Sequence, residues 1–219
     1  MKIHLHKELD RLKKQLFHLS TVVEENFTLS IQAVLAGDSQ QGAAVRERDL
    51  EIDQLEVEVE EECLKILALH QPVATDLRFI VAALKMNNDF ERIGDLAVNI
   101  ASGNACSNGE AMPTELGMSL QVMAGKARLM LHQSLEALMA MDVAGAKAVL
   151  AADDEVDRLY HEFSATVQQE LKKSPSQQGA LISWLMAAKS IERVADHATN
   201  IAEDTIYSAE GEIIRHGRG

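Results

Sequence analysis

The chain has 219 residues and carries 21 Lys+Arg against 34 Asp+Glu, a formal net charge of -13, with 47% hydrophobic and only 4% aromatic residues. That length supplies a sizeable apolar core in one large domain or two small ones. Charge of this sign, with no Lys/Arg-rich block to offset it, repels phosphate backbones and excludes nucleic acid as a direct partner, leaving cations or basic protein surfaces.

The two cysteines, Cys63 and Cys106, form no CxxC or Cys/His metal spacing and are too few for a secreted disulfide framework, so a reduced cytoplasmic setting is expected. The first ten residues, MKIHLHKELD, are charged and lack the apolar stretch of a signal peptide. The longest apolar runs, such as Leu181 to Ala188, are too short to cross a bilayer, which leaves membrane contact only peripheral and through partners.

Only Pro72, Pro113 and Pro175 interrupt a chain whose apolar residues recur at spacings of three and four, so everything reads as helix. In chain order, Leu9, Leu12, Leu16, Leu19, Val23, Phe27, Ile31 and Val34 make one stripe, ended by Gly37-Asp38. A second helix runs from about Gln40 to His70, with Val45, Ile52, Leu55, Val59 and Leu67 among its apolar positions. A third follows Pro72 to about Ala105, and SNGEAMP after it reads as a loop. The second half repeats the plan, from about Pro113 to Met141, then a helix capped by Asp142, then a last one with Ser174 as N-cap and Pro175 at its first position. The expectation is an all-α protein of six long helices.

The halves also match each other residue by residue. DSQQGAAVRERDLEIDQL (38–55) aligns without gaps on DVAGAKAVLAADDEVDRL (142–159), and ERIGDLAVNIA (91–101) on ERVADHATNIA (192–202). The offsets are 104 and 101 residues, which marks a tandem duplication of a unit of about a hundred residues. Two sequence-related three-helix bundles, 1–107 and 112–219, joined around Ser107 to Met112, are therefore expected.

Each unit carries acid pairs four residues apart on two helices: Asp49/Asp53 and Glu91/Asp95 in the first, Asp153/Asp157 and Glu192/Asp196 in the second. Such pairs share a helix face and repel, and taken singly they are ordinary surface charge. Their placement is less ordinary. If the second and third helices form an antiparallel hairpin at Pro72, the midpoints of the two pairs lie 21 residues before and 21 after the turn, hence at the same height. In the second unit the midpoints lie 20 before and 19 after Pro175. The acids flank the core stripes Met86, Phe90, Ile93, Ala97, Ile100 and Ala187, Ile191, Val194, Ala198, Ile201, with Asn99 and Asn200 continuing the acidic rows. Four carboxylates with an amide carbonyl make a hard, all-oxygen site suited to Mg, Mn, Ca or iron, singly or bridged.

Other readings of these residues are weaker. A buried di-iron centre needs Glu-x-x-His, and no histidine here has a Glu three residues before it. His161 lies four residues after Asp157 and suits a boundary position better than a ligand; Arg92 and Arg193, at matching positions, suit salt bridges to the acids. The run Glu56 to Glu62 reads mostly as a solvated face. No Walker-type phosphate loop, no GxSxG and no Cys/His pairing points to catalysis, so a non-enzymatic protein is expected.

The stretch CLKILALHQPVATDLRFIVAALKMNNDFERIGDLAVNIA (63–101), with DLEIDQLE before it and DDEVDRLYHEF and SIERVADHATNIAED in the second half, closely resembles the PhoU family of phosphate-signalling regulators. The resemblance covers nearly the whole chain and implies two three-helix bundles with an E/D-x-x-x-D motif on two helices of each. Those motifs are Asp49/Asp53, Glu91/Asp95, Asp153/Asp157 and Glu192/Asp196, all intact. It further implies bound metal ions, iron, Mn, Mg or Zn, in some members multinuclear. The implied role is that of a cytoplasmic, often homodimeric adaptor that restrains the phosphate-regulon sensor histidine kinase and the phosphate ABC transporter, through its ATPase subunit, when phosphate is ample. The alternative from the residues themselves is a metal-handling helical protein.

Overall fold

The computed structural model describes residues 2–103 and 111–211; the expected junction at 107–112 lies, up to residue 110, outside the described residues. Six long helices account for nearly all of the described chain: α1 Lys2–Ala36, α2 Ser39–His70, α3 Ala74–Ala101, α4 Thr114–Ala140, α5 Val143–Lys173 and α6 Gln178–Glu210. No strand occurs among the described residues.

Local chemistry explains the boundaries. Gly37 takes the left-handed φ of 65° that ends α1. Asp38 then accepts from the N–H groups of Gln40 and Gln41, at 2.8 and 3.1 Å, to start α2. Asp142 repeats the device for α5 by accepting from Ala144 N–H at 3.0 Å. Two expected boundaries are corrected. α3 stops at Ala101 rather than near Ala105, where Ser102 and Gly103, poor helix formers, take over. Ser174 does not cap the last helix: its N–H donates to Glu170 O at 2.9 Å and closes α5. Pro175–Gln177 instead form one 3₁₀ turn, and α6 begins at Gln178.

The expected apolar stripes are the core. All eight α1 stripe residues are buried, as are Met86, Phe90, Ile93, Ala97 and Ile100 of α3 and their counterparts in α6. Helices α1–α3 form one bundle and α4–α6 the other. The bundles join through two further helix pairs, so most of the apolar interior is one continuous cluster. α3 packs antiparallel on α6: Arg78 Nε donates to Ser208 O at 2.9 Å, Lys85 Nζ lies 2.9 Å from Asp204, and Asp89 bonds His197 at 2.7 Å. α1 and α4 approach at His132 and Glu24, 3.1 Å apart, and Met112 N–H donates to Leu35 O at 3.0 Å.

Within the first bundle, α2 and α3 touch at seven-residue steps. A Cβ at Gly42 would lie 2.8 Å from Ala101 O, a Cβ at Gly94 would lie 2.6 Å from Asp49 Oδ1, and Asn87 Nδ2 donates to Glu56 O at 2.9 Å. A seven-residue seam is the signature of shallow, knobs-into-holes helix packing. It holds the two backbones close over several turns. Gly42→Ala tests this: alanine favours an exposed helix by about 1 kcal/mol, whereas the backbone carbonyl of Ala101 leaves no room for it here. Urea unfolding is expected to show a loss of about 1–3 kcal/mol; a gain in stability contradicts the close seam.

Candidate metal centre

The acid pairs lie where the seam is tightest. In the first bundle Asp49 on α2 sits directly against the Gly94 backbone of α3; Glu91 lies about one turn before that glycine and Asp95 is the residue after it. A Cβ at Gly94 would lie 2.6 Å from Asp49 Oδ1, so a side chain there would make the Asp49 carboxylate turn aside. Asp49 is half-buried, and its carboxyl is pushed up to about 6, first by burial, then by the charges of Asp53, Asp95 and Glu91. Glu91 is also raised, by burial and then by Asp95, with Arg92 pulling the other way. The four carboxylates named from sequence therefore share one field.

The second bundle repeats the arrangement. Asp153 is half-buried and pushed up to about 6 by burial, then by Asp157 and Asp196, with Glu192 also contributing. Asp196 is raised by desolvation and then by Glu192. Ala195, fully buried, stands at the position matching Gly94. The expected carboxylates thus act on one another's charge across α2 and α3, and across α5 and α6.

Several neighbours were not evident in the sequence. Glu56, one turn beyond Asp53, joins the first tetrad: its carboxylate accepts from Asn87 Nδ2 at 2.9 Å, and it is raised by burial, then by Glu60, Glu91 and Asp53. Lys189 joins the second, with its ammonium 2.6 Å from the Glu192 carboxylate and 5.2 Å from the centre of the Tyr160 ring. His197 bridges the bundles, bonded to the buried Asp89 and close enough to Glu91 and Asp196 to act on both. A helix-by-helix reading misses the contacts of Glu56 and His197, which depend on a partner helix, and the Tyr160 side of Lys189, whose bond to Glu192 is an i,i+3 contact within α6.

Other expected contributors fall differently. Arg92 does pair with the acids, 3.4 Å from both Glu91 and Asp95. His161 turns to the backbone, its Nδ1 lying 2.7 Å from Asp157 O. Asn200 lies 3.4 Å from Asp89 across the α3–α6 seam instead of extending the acidic row. Within the acidic run 56–62, Glu56 and Glu62 leave the solvated face: Glu62 is buried and Lys65 Nζ lies 3.2 Å away.

The donor set in each tetrad is carboxylate oxygen throughout, the chemistry that hard cations prefer. At the second tetrad an ammonium group already sits on Glu192. The residues therefore suit a cation. As they stand, however, no three His, Cys, Asp or Glu groups among the described residues are gathered to hold one metal ion, so binding requires rotation of these side chains. The chain presents converging charge rather than a preformed cage.

A family model for the PhoU domain matches residues 16–103 and again 120–205. The chain belongs to the PhoU family. Each PhoU domain contains one complete tetrad. Among relatives, the phosphate-specific transport system accessory protein PhoU homolog of Aquifex aeolicus is 34% identical over 97% of this chain and 96% of its own length. Two solved structures share the fold along nearly their full length. PhoU from Pseudomonas aeruginosa has a TM-score of 0.87 at 32% identity, covering 94% of this chain and 99% of that one. The phosphate transport system regulatory protein PhoU from Streptococcus pneumoniae has a TM-score of 0.85 at 26% identity, covering 95% and 98%.

The raised carboxyls give a pH dependence with a definite sign. Asp49 and Asp153 take up protons near pH 6 when folded and near 4 when unfolded, so the folded state binds more protons in between. Their contribution to stability is greatest at low pH, falls as pH rises from about 4 to about 6, and stays lost above. In cation-free protein, Asp49→Asn is expected to raise the melting temperature at neutral pH and to change it little near pH 4. A lower melting temperature at neutral pH contradicts the repulsive field.

Proposed function

We propose that this PhoU-family protein acts in the cytoplasm as the accessory regulator of a phosphate-specific transport system. The observation that carries this reading is the match of both PhoU domains together with near full-length similarity to proteins named for that role. In this reading it represses the phosphate-regulon sensor histidine kinase and restrains the ABC transporter through its ATPase subunit when phosphate is ample. No described helix is long and apolar enough to cross a membrane, so it reaches those membrane systems through protein contacts. It works as a homodimer and performs no catalysis.

Bound cations belong to the same reading. Asp49, Asp53, Glu91 and Asp95 hold one site and Asp153, Asp157, Glu192 and Asp196 the other, taking iron, Mn, Mg or Zn, singly or as clusters. What supports this is the repulsion among partly desolvated carboxylates, which a cation relieves. The metal supplies charge neutralisation that locks α2 to α3 and α5 to α6. Ligand binding to the folded state alone stabilises it.

Two measurements check the proposal. Deletion of the gene is expected to switch on phosphatase expression and raise phosphate uptake in phosphate-rich medium; unchanged levels of both count against the regulatory role. Chelation of the purified protein is expected to lower its melting temperature and to release metal measurable by elemental analysis. Asp49→Ala/Asp53→Ala and Glu192→Ala/Asp196→Ala proteins should lose the metal of the altered tetrad. Variants that lose metal but still regulate show the ions to be structural.

A further inference from the structure

The duplication supplies an internal control for which surface positions the fold needs. α2 and α5, aligned 104 residues apart, bury the same positions: Val45, Ile52 and Val59 in one, Val149, Val156 and Phe163 in the other. Their solvent faces differ. Along α2, Ala43, Leu50, Val57 and Leu64 follow one another at seven-residue steps, and all four are exposed, the three large ones at 69%, 46% and 52%. Their counterparts on α5 are Lys147, Asp154, His161 and Gln168, exposed as well. The second bundle thus folds with a polar side chain at every one of these positions, and the apolar row on α2 is not demanded by core packing.

A single exposed leucine is ordinary, whereas a seven-residue repeat keeps its side chains along one line of the helix. From Ala43 to Leu64 that line runs for about 32 Å. Exposed acids border it on both sides, Glu47, Glu58 and Glu61 towards α1 and Asp53 and Glu60 towards α3. The neighbouring cations are partly engaged elsewhere: Arg46 reaches Ser102 Oγ at 3.3 Å, and Lys65 lies 3.2 Å from Glu62 and 3.4 Å from Glu8. The border has diverged together with the row, since Glu47, Glu60 and Glu61 correspond to Ala151, Ser164 and Ala165 on α5. These three glutamates lie outside the four acid pairs, so what they do needs no bound cation.

We propose that the outer face of α2 is a docking surface for a cationic amphipathic helix of a partner protein, whose apolar side covers Ala43, Leu50, Val57 and Leu64 while its lysines or arginines meet the acidic borders. The pattern is that of one strand of a helix–helix seam, with apolar side chains at heptad spacing and charges along the flanks that select the partner. Charge decides among the possible occupants. A second copy laid α2 against α2 would bring like borders together, and the same carboxylates repel an anionic membrane surface or a nucleic acid. A basic helix gains from the apolar row and from both borders at once.

The test is fluorescence anisotropy of the full-length protein with a labelled helical peptide of about six turns, carrying Leu at heptad positions a and d and Lys at e and g. Wild type is expected to bind it with an affinity that falls as salt rises. Leu50→Asp/Val57→His/Leu64→Gln gives α2 the residues that α5 already carries, so it should keep the wild-type helical content and melting temperature while binding about tenfold more weakly or worse. Glu60→Lys/Glu61→Lys should weaken binding to a similar extent and instead take up a peptide with Glu in place of Lys, which wild type does not bind. Equal binding by all three proteins, or none by wild type, overturns the proposal. So does either of two other results: a dimer that dissociates in the first variant assigns the row to a second copy, and binding of phosphatidylglycerol vesicles that the first variant loses assigns it to a membrane.

Discussion

The close approach of paired helices at the acidic positions is the constraint on which the rest of the molecule depends. At Gly94 the backbone of α3 meets the carboxylate of Asp49 on α2 with no side chain between them. Gly42 against Ala101, seven residues away on each helix, holds the same spacing. Wider separation would put the acid pairs back in water, where each is an ordinary i,i+4 repulsion of a few tenths of a kcal/mol. Pressed together, the carboxylates are partly desolvated and act on one another, which drives Asp49 and Asp153 to about 6. The apolar stripes make this possible by providing the stability against which that repulsion is tolerated.

The arrangement also explains why a duplicated unit is useful. α3 and α6, which carry one acid pair each, are the helices that join the bundles, and the Asp89–His197 bond ties them at the level of the tetrads. A charge change at one tetrad is therefore one helix away from the other. Packing of α3 on α6 makes the two sites parts of a single body rather than beads on a string.

Much of this was legible in the chain. The 3.6-residue periodicity placed all six helices, because α1 to α6 each bury one continuous stripe and nothing competes with it. The internal alignment picked out the acid pairs, and hairpin geometry converts their near-equal distances from Pro72 and Pro175 into near-equal heights. Ser174 shows where local rules misled: Ser-Pro reads as a helix start, yet Ser174 spends its N–H closing the helix before it. Glu56 and His197 were illegible for a different reason: their roles depend on Asn87 and Asp89, partners whose proximity only the assembled fold creates, as it creates the approach of Lys189 to Tyr160.

The account turns on whether the tetrads hold cations. A crystal structure of the protein soaked in Mn2+, with anomalous scattering recorded at the manganese edge, addresses that directly. The account predicts an anomalous peak among Asp49, Asp53, Glu91 and Asp95, with those side chains rotated inward onto it. An anomalous map with no peak at either tetrad, and carboxylates left as they stand here, would contradict it.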